Sequence, residues 1–301
     1  MIALLLAFAI HVAPGESIQK AIDALPASGG EVVVAPGVYR EVLEIAKPGV
    51  TLRGESADAS KTMIVFDKSA GTAGGTFKSA TVHISGDGFV AENITFANDW
   101  NRTHEQVRVG SQAVAVGVTA DKAVFRNVRM LGNQDTLYAA KGRQYFENCY
   151  IEGNVDFIFG DANAFFENCE LHSVVYKNGG YITAQSKNSA AQESTYVFDH
   201  CKVTGAPGQK RVYLGRPWRP YATVVFLNTA MGEHIETAGW REWHPGETAS
   251  LGTAFYAEYN STGPGATGKR EPHTHLLTQE EAAKYTRRSI FKDWVPTGSK
   301  P

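Results

Sequence analysis

The stretch GNQDTLYAAKGRQYFENCYIEGNVDFIFG, residues 132–160, places two aspartates in closely similar surroundings. Asp135 follows Asn127 by eight residues, and Asp156 follows Asn148 by the same eight. If the two segments are successive coils of one repeating backbone, the two carboxyls stack about 5 Å apart, which is the spacing of neighbouring strands. The alternative is two separate buried acids, each hydrogen-bonded to the backbone. The matched offset favours the stacked pair.

Two carboxyls at that distance acquire unequal pKa values, because the first negative charge opposes the formation of the second. At an intermediate pH the pair then consists of one carboxylate and one neutral acid. A nucleophile and a proton donor are therefore predicted on neighbouring coils.

The surroundings of both asparagines recur along the chain as one pattern with inserts of variable length. The units are VAENITF (90–96), VFRNVRM (124–130), YFENCYI (145–151), FFENCEL (165–171) and VFDHCKV (197–203), with a weaker copy in VVFLNTAM (224–231). Apolar residues one and three places after the polar one give the period-two alternation of a β-strand. The shortest intervals between the polar positions, 20 and 21 residues, match one coil of a parallel β-helix, whose corners accept long loops.

We therefore predict an all-β chain folded as a parallel β-helix, with residues 10–301 as one domain. The 30 glycines and the many β-branched and aromatic residues are typical of such a chain. An antiparallel β-sandwich would also alternate, but it explains the identical units less well. The inward positions of the units, Val128, Cys149, Cys169 and Cys201, are expected to stack. Cys149 and Cys169 would then lie within reach of a disulfide, with Cys201 as a free thiol.

Both ends of the chain carry short helical patterns. The segment SIQKAIDAL (17–25), with Ser17 as N-cap and Pro26 as the stop, predicts a short helix that covers the open end of the solenoid. A first strand is expected from Ile10 to Ala13, followed by strands at EVVVA (31–35) and GVYREVLEI (37–45). Near the C-terminus QEEAAKY (279–285) is helical in pattern, and the residues after it are expected to pack on the outside or at the lower end of the solenoid.

The apolar residues MIALLLAFAI at the start resemble the end of a secretory signal, so a signal-peptide remnant is predicted over residues 1–9. This predicts a secreted or periplasmic protein. The apolar run is too short to span a membrane. With 29 basic and 31 acidic residues, the net charge of −2 gives no attraction to nucleic acid or to a membrane surface. No metal site or cofactor is predicted, and the protein is expected to be a monomer.

Six short motifs occur in a fixed order along almost the whole chain. They are GVYRE (37–41), SQAVAV (111–116), QDTLY (134–138), VDFIFG (155–160), LGRPW (214–218) and GWREW (239–243). Together they resemble the pectin methylesterases (pectinesterases) of the carbohydrate esterase class. The resemblance implies a right-handed parallel β-helix with a long open cleft. It also implies that the substrate is pectin, a methylated polygalacturonate, which is converted to pectate and methanol.

Carried over by motif position, the resemblance assigns five catalytic roles. Asp156 would be the nucleophile and Asp135 the acid and then the base. Gln112 and Gln134 would stabilise the oxyanion, and Arg216 would hold Asp156. The physical chemistry agrees, because a bidentate arginine keeps a carboxylate ionised and aimed, and amide N–H groups stabilise negative charge on a carbonyl oxygen. The alternatives are a structural amide ladder for the two glutamines and a surface position for the arginine.

The same resemblance predicts that three aromatic side chains, Tyr138, Phe159 and Trp218, line the sugar cleft. A tryptophan between two arginines suits an exposed platform for a pyranose ring. Its alternative is an ordinary core position.

Two other functions use the same features. A β-helix glycosidase on polygalacturonate would also use the acidic pair, because a retaining glycosidase holds two carboxyls about 5–5.5 Å apart. A lyase on the same polymer would instead want calcium and a basic residue that abstracts a proton, and neither is evident in the sequence. A noncatalytic carbohydrate-binding solenoid would keep the aromatic residues without the acids. The glutamines and Arg216 favour acyl transfer, and therefore the ester hydrolase.

Overall fold

The computed structural model describes residues 9–104, 109–244, 246 and 250–296. In this part of the chain every strand pair is parallel, and the strands form three sheets of 11, eight and seven strands. From Gly30 to Met231 successive strands visit the three sheets in turn, so that each complete coil contributes one strand to each sheet. The fold is the predicted right-handed parallel β-helix. The alternative fold considered above, an antiparallel β-sandwich, is therefore wrong.

We number the strands along the chain and name the sheets A, B and C in the order in which a coil meets them. Sheet A contains β1 (Ala9–Val12), β2 (Gly30–Val34), β5 (Val50–Gly54), β8 (Val90–Glu92), β11 (Ala123–Arg126), β14 (Arg143–Glu147), β17 (Asn163–Glu167), β20 (Thr195–Asp199), β23 (Thr223–Leu227), β25 (Phe255–Tyr259) and β26 (His275–Leu276). Sheet B contains β3 (Gly37–Tyr39), β6 (Thr62–Phe66), β9 (Thr95–Asn98), β12 (Arg129–Leu131), β15 (Tyr150–Gly153), β18 (Glu170–Ser173), β21 (Lys202–Gly205) and β24 (Ala230–Met231). Sheet C contains β4 (Leu43–Ile45), β7 (Val82–Ile84), β10 (Val116–Val118), β13 (Leu137–Ala139), β16 (Ile158–Gly160), β19 (Gly180–Gln185) and β22 (Val212–Gly215). The helices are α1 (Ile18–Ala24), α2 (Ala70–Ala73), α3 (Trp100–Thr103), α4 (Gln279–Ala282) and α5 (Arg287–Phe291), with 3₁₀ turns at Ala59–Lys61, Thr76–Ser79 and Pro264–Ala266.

A single residue in the left-handed region forms the corner between sheet A and sheet B in seven coils. These corner residues, with φ between 48° and 55°, are Asn93, Asn127, Asn148, Asn168, His200, Asn228 and Asn260. Asparagine tolerates this region because its short polar side chain hydrogen-bonds locally. Asn127 Nδ2 donates to Asn93 Oδ1 at 2.8 Å, and Asn260 Nδ2 donates to Asn228 Oδ1 at 2.9 Å. The polar residue that recurs in the sequence is therefore the corner itself.

A column of phenylalanines fills the interior behind sheet A. Phe125, Phe146, Phe166, Phe198 and Phe226 occupy the same register position on five successive coils. Their ring centroids are 4.8, 4.4, 4.4 and 4.6 Å apart, with the planes nearly parallel. All five are fully buried. The column fixes the stacking of the coils, and with it the height of every residue on sheet C.

The cysteines lie just after the corner residues and point into the core, as expected. Cys149, Cys169 and Cys201 are buried, and so is Val128 one coil earlier. All three cysteines are free thiols, so the expected bridge between Cys149 and Cys169 is not formed. Burial raises the pKa of the Cys149 and Cys169 thiols, and the neighbouring thiol adds to the effect at Cys149.

The N-terminal end is covered by α1, as predicted. The Ser17 hydroxyl accepts a hydrogen bond from Lys20 N at 3.2 Å and caps the helix. The buried face of the helix, Ile18, Ala21 and Ile22, packs against the first coil. The first strand is also present, as β1.

The prediction of a single strand over residues 37–45 is wrong. It forms β3 in sheet B and β4 in sheet C, with a corner between them. At that corner Glu41 turns outward, and its carboxylate accepts hydrogen bonds from Ile18 N at 2.7 Å and Ser17 Oγ at 2.9 Å. At this corner two adjacent polar residues, Arg40 and Glu41, interrupt the alternation.

The C-terminal helices pack on the outer face of sheet A, as expected. Phe291 of α5 is fully buried, and its ring lies 6.4 Å from those of Tyr145 and Phe165. The predicted signal-peptide remnant falls on residues that lie outside the described part, apart from Ala9, which begins β1. Of the helices described, none is long and apolar enough to cross a membrane.

We predict that the native protein shows no thiol that reacts quickly with an aromatic disulfide reagent, because burial both shields the thiols and raises their pKa. After unfolding without a reductant, all three cysteines should react. A single reactive thiol after unfolding would mean that two of the cysteines are bridged in the isolated protein.

Candidate active site

The two aspartates lie on adjacent coils where the chain enters sheet C. Leu137 pairs with Ile158, so that the residues two places earlier, Asp135 and Asp156, stand opposite each other. The hydrogen bond from Asp135 N to Val155 O, at 3.1 Å, continues the ladder to this point. Both aspartates are buried and have left-handed backbone, with φ of 66° and 52°. The predicted stacked pair is present.

Strained backbone at this position turns both side chains out of the regular alternation. A non-glycine residue in the left-handed region costs roughly 1–3 kcal/mol, and such residues cluster at functional sites. Here the same strain occurs in two successive coils, and each time at the aspartate.

Arg216 follows β22 and reaches Asp156 from a later coil. Its Nε donates to Asp156 Oδ1 at 2.9 Å, and its Nη2 donates to Asp156 Oδ2 at 2.5 Å. The side chains are 17% and 6% exposed, so water screens the pair only weakly. The bidentate contact predicted from the sequence is formed, and the surface position considered for the arginine is wrong.

The two carboxyls differ in their surroundings. Burial raises the pKa of Asp135 well above its usual range, and the charge of Asp156 raises it further. Burial also raises the pKa of Asp156, but the hydrogen bonds and the charge of Arg216 oppose that rise. Arg216 acts on Asp135 only through its charge. Asp156 is therefore the carboxyl that ionises first, and Asp135 is the one that keeps its proton.

Two glutamines complete the polar side of the site. Ala113 N donates to Gln134 O at 3.2 Å, which places Gln112 and Gln134 on adjacent coils. Both glutamines line one cleft of about 180 Å³ together with Asp135, Asp156 and Arg216. All five residues predicted as catalytic therefore meet in one place.

Aromatic rings form a row along the cleft. Phe77 stacks on Tyr138 with centroids 4.6 Å apart, and Tyr138 stacks on Phe159 at 4.8 Å. Phe159 lies 6.0 Å from Trp218. Phe77, Phe159 and Trp218 line the cleft itself, and Tyr138 joins them as the second ring of the row. The three predicted aromatic residues are thus brought together.

Sequence reasoning missed several residues that line this cleft or support it. Thr76 and Phe77 come from a glycine-rich insert, and Trp243 ends the GWREW motif; all three line the cleft. The rings of Trp243 and Tyr181 each lie 4.1 Å from the guanidinium of Arg216. The motif around Trp243 was a usable signal. Tyr181 lies in a strand that the sequence did not connect with the site.

Metal ligands do not converge in the described residues. They contain no group of three or more His, Cys, Asp or Glu side chains that could hold an ion. The two histidines that are closest in sequence face different partners, because His273 contacts Glu271 at 2.8 Å and His275 stacks on Phe255 at 4.6 Å.

Comparison with known proteins gives one family. A family model described as Pectinesterase matches residues 12–293. Pectinesterase 31 from Arabidopsis thaliana is 38% identical over 290 residues, which cover 91% of this chain and 87% of that protein. The structure of pectin methylesterase from carrot has a TM-score of 0.85 at 30% identity and covers 95% of this chain and 94% of its own. A pectin methylesterase in complex with a hexasaccharide has a TM-score of 0.80 at 31% identity, covering 94% and 95%.

We predict that Asp135→Asn stabilises the protein at neutral pH. Because the pKa of Asp135 is raised in the folded state, the wild type loses stability as the pH rises above about 3.9, where the unfolded aspartate ionises. Asparagine is neutral throughout and avoids this loss. The melting temperature of the variant should exceed that of the wild type at pH 7, and the difference should vanish near pH 3. A difference that is constant with pH would contradict the raised pKa.

Proposed function

The chain belongs to the pectinesterase family, and from this premise we propose that it removes methyl esters from the galacturonate units of pectin, releasing pectate and methanol. The observation that carries the proposal is the bidentate contact between Arg216 and Asp156, with a second carboxyl on the adjacent coil. This arrangement supplies an aimed carboxylate and a proton donor at one point of the cleft.

In the first half-reaction, an oxygen of Asp156 attacks the carbonyl carbon of the methyl ester. The carbonyl oxygen becomes negative, and the side-chain amides of Gln112 and Gln134 donate hydrogen bonds to it. Loss of one such donor typically costs about 10²–10³ in rate. Asp135 gives its proton to the departing methoxy oxygen, because methoxide is a poor leaving group. The products are methanol and an anhydride between Asp156 and the sugar acid.

In the second half-reaction, water opens the anhydride. Asp135, now ionised, takes a proton from the attacking water. The acyl carbon keeps the oxygen of that water, and the bond to Asp156 breaks. The sugar acid leaves and gives the second proton of that water to the solvent, Asp156 returns to its ionised form, and Asp135 is protonated again. One side chain therefore acts as the acid in the first step and as the base in the second.

The row of aromatic rings suits a pyranose polymer. Sugar rings offer apolar C–H faces that pack on aromatic side chains. Tyr138, Phe159 and Trp218 lie on three different coils, and so the row extends along the solenoid axis. We propose that a chain of galacturonate units lies along this row, and that the enzyme acts as a monomer in a secreted or periplasmic location.

A glycosidase or lyase acting on the same polymer is disfavoured by the contact of Arg216 with Asp156, and a noncatalytic solenoid would not need the two buried acids.

The three functions leave different products. We predict that highly methylated pectin releases methanol and an equal amount of acid, without new reducing ends and without unsaturated products. Chain cleavage of either kind would refute the esterase assignment.

We predict that Asp156→Asn abolishes methanol release but retains binding of pectin, because the nucleophile is lost and the aromatic row is intact. Asp135→Asn should retain at most a slow first step. The two losses should not multiply in the double variant, since both residues serve one sequence of steps. Methanol release and pectin affinity measured on the three variants decide this. Substantial activity of Asp156→Asn, or effects that multiply, would show that the roles are wrong.

A further inference from the structure

The guanidinium of Arg216 lies between two aromatic rings. The ring centroids of Tyr181 and Trp243 are each 4.1 Å from its central carbon. The flat faces of a guanidinium do not hydrogen-bond, and so aromatic faces can cover them without competing with the carboxylate at its edge. The two rings and Asp156 together leave the group little freedom.

Tyr181 lies beneath the path by which Arg216 reaches its partner. Arg216 N donates to Thr183 O at 3.0 Å, so the backbone of Arg216 belongs to the coil that follows β19. Asp156 belongs to the coil before β19, since β16 pairs with β19. The arginine side chain must therefore cross β19, and it does so over the ring of Tyr181.

We propose that Tyr181 is a positioning residue: its ring holds the plane of the Arg216 guanidinium in line with the carboxylate of Asp156. A bidentate contact needs the two planes to coincide, and rotation about the Cδ–Nε bond breaks it. With rings on both faces, that rotation meets a steric barrier. This inference rests on the proposed function, because it concerns how the nucleophile is kept ionised and aimed.

The ring of Tyr181 is itself supported by a ring of the next coil. It stacks on Tyr213 of the next coil, with centroids 5.5 Å apart and planes 18° apart. Arg241 lies 5.6 Å from the centroid of Tyr213. On the other side, Tyr181 N donates to Asn154 O at 3.0 Å. The column Trp243, Arg216, Tyr181, Tyr213 and Arg241 is therefore continuous.

Tyr181 offers a cleaner test than Trp243. Trp243 lines the cleft, so its replacement would also change contacts with the sugar. Tyr181 is not among the described residues that line the cleft, and the guanidinium covers its ring. An effect of Tyr181 on catalysis must then act through Arg216.

Other ionisable groups act on the Arg216–Asp156 ion pair, and none of them is changed in the test. Asp135 lies on the adjacent coil and acts on Arg216 through its charge. Tyr256 is buried in the core, where the charges of Glu242, Asp156 and Arg216 act on it. Burial raises the pKa of Tyr256, so it remains neutral over the working range.

The test compares Tyr181→Leu, which keeps apolar volume but removes the ring, with Tyr181→Phe, which keeps the ring. For Tyr181→Leu we expect kcat to fall about tenfold, equivalent to about 1.4 kcal/mol, with KM within about twofold of the wild type. The acidic limb of the kcat/KM profile should move to higher pH, because a loosened Arg216 stabilises ionised Asp156 less. Tyr181→Phe should keep the wild-type kcat, and the acidic limb of its kcat/KM profile should lie at the same pH as in the wild type.

A second readout does not depend on turnover. In ¹⁵N-arginine spectra, the Arg216 Nε–H should exchange faster with water in Tyr181→Leu than in the wild type or in Tyr181→Phe. If the wild type releases no methanol, the proposed function fails while this readout still tests the positioning. A raised KM with an unmoved acidic limb would overturn the inference in favour of a sugar contact. Unchanged Nε–H exchange would overturn it as well.

A matched control separates positioning from a general loss of stability. Tyr150 is also half-buried under an arginine, with Arg129 5.2 Å from its ring centroid, but it lies on sheet B. Tyr150→Leu should lower the melting temperature and leave kcat and the acidic limb unchanged. If Tyr150→Leu changed kcat and the acidic limb as much as Tyr181→Leu does, the effect would be structural and the inference would be wrong.

Discussion

The structure depends on one constraint: two carboxyls are held in register on adjacent coils, but the coils on either side of them differ. On the side of Asp135 the next coil offers the neutral amide of Gln112, whereas on the side of Asp156 the guanidinium of Arg216 reaches across from two coils further on. Both acids are buried, and the cation at hydrogen-bond distance from Asp156, but not from Asp135, opposes the rise in pKa at Asp156 more strongly. The unequal surroundings of the two aspartates therefore follow from the order of the coils.

A site of this kind needs a rigid support, because buried charges and strained backbone both cost stability. The left-handed corners and the phenylalanine column supply it: they fix the rise from one coil to the next, and so the separation of residues on sheet C follows from the backbone. The side chain of Arg216 also connects three coils, because its backbone lies on the coil after β19 and its guanidinium binds Asp156 on the coil before β19. The ring of Tyr181 fills the space that this link crosses.

Much of this could be predicted from the sequence, for identifiable reasons. The repeated asparagine revealed the coils because a one-residue corner in the left-handed region strongly favours that residue, and the equal offsets then placed Asp135 beside Asp156. The break at Glu41 was missed because the glutamate binds the start of a helix 23 residues earlier, a contact that no local pattern reveals. Phe77 was missed because it lies in an insert outside the repeat. Tyr181 was missed because its partner Arg216 lies 35 residues further along, and no spacing in one sequence connects them. The roles of the catalytic residues stay predictions.

The central claim, that unequal neighbours give the stacked aspartates opposite protonation states, can be measured most directly by ¹³C NMR of the aspartate carboxyls, assigned with the two Asp→Asn variants and followed over pH. We expect the Asp156 carboxyl to ionise at the lower pH and Asp135 to remain protonated well above the usual range of an aspartate. If Asp135 ionised first, or if both carboxyls titrated near the ordinary value of about 3.9, the account would be contradicted.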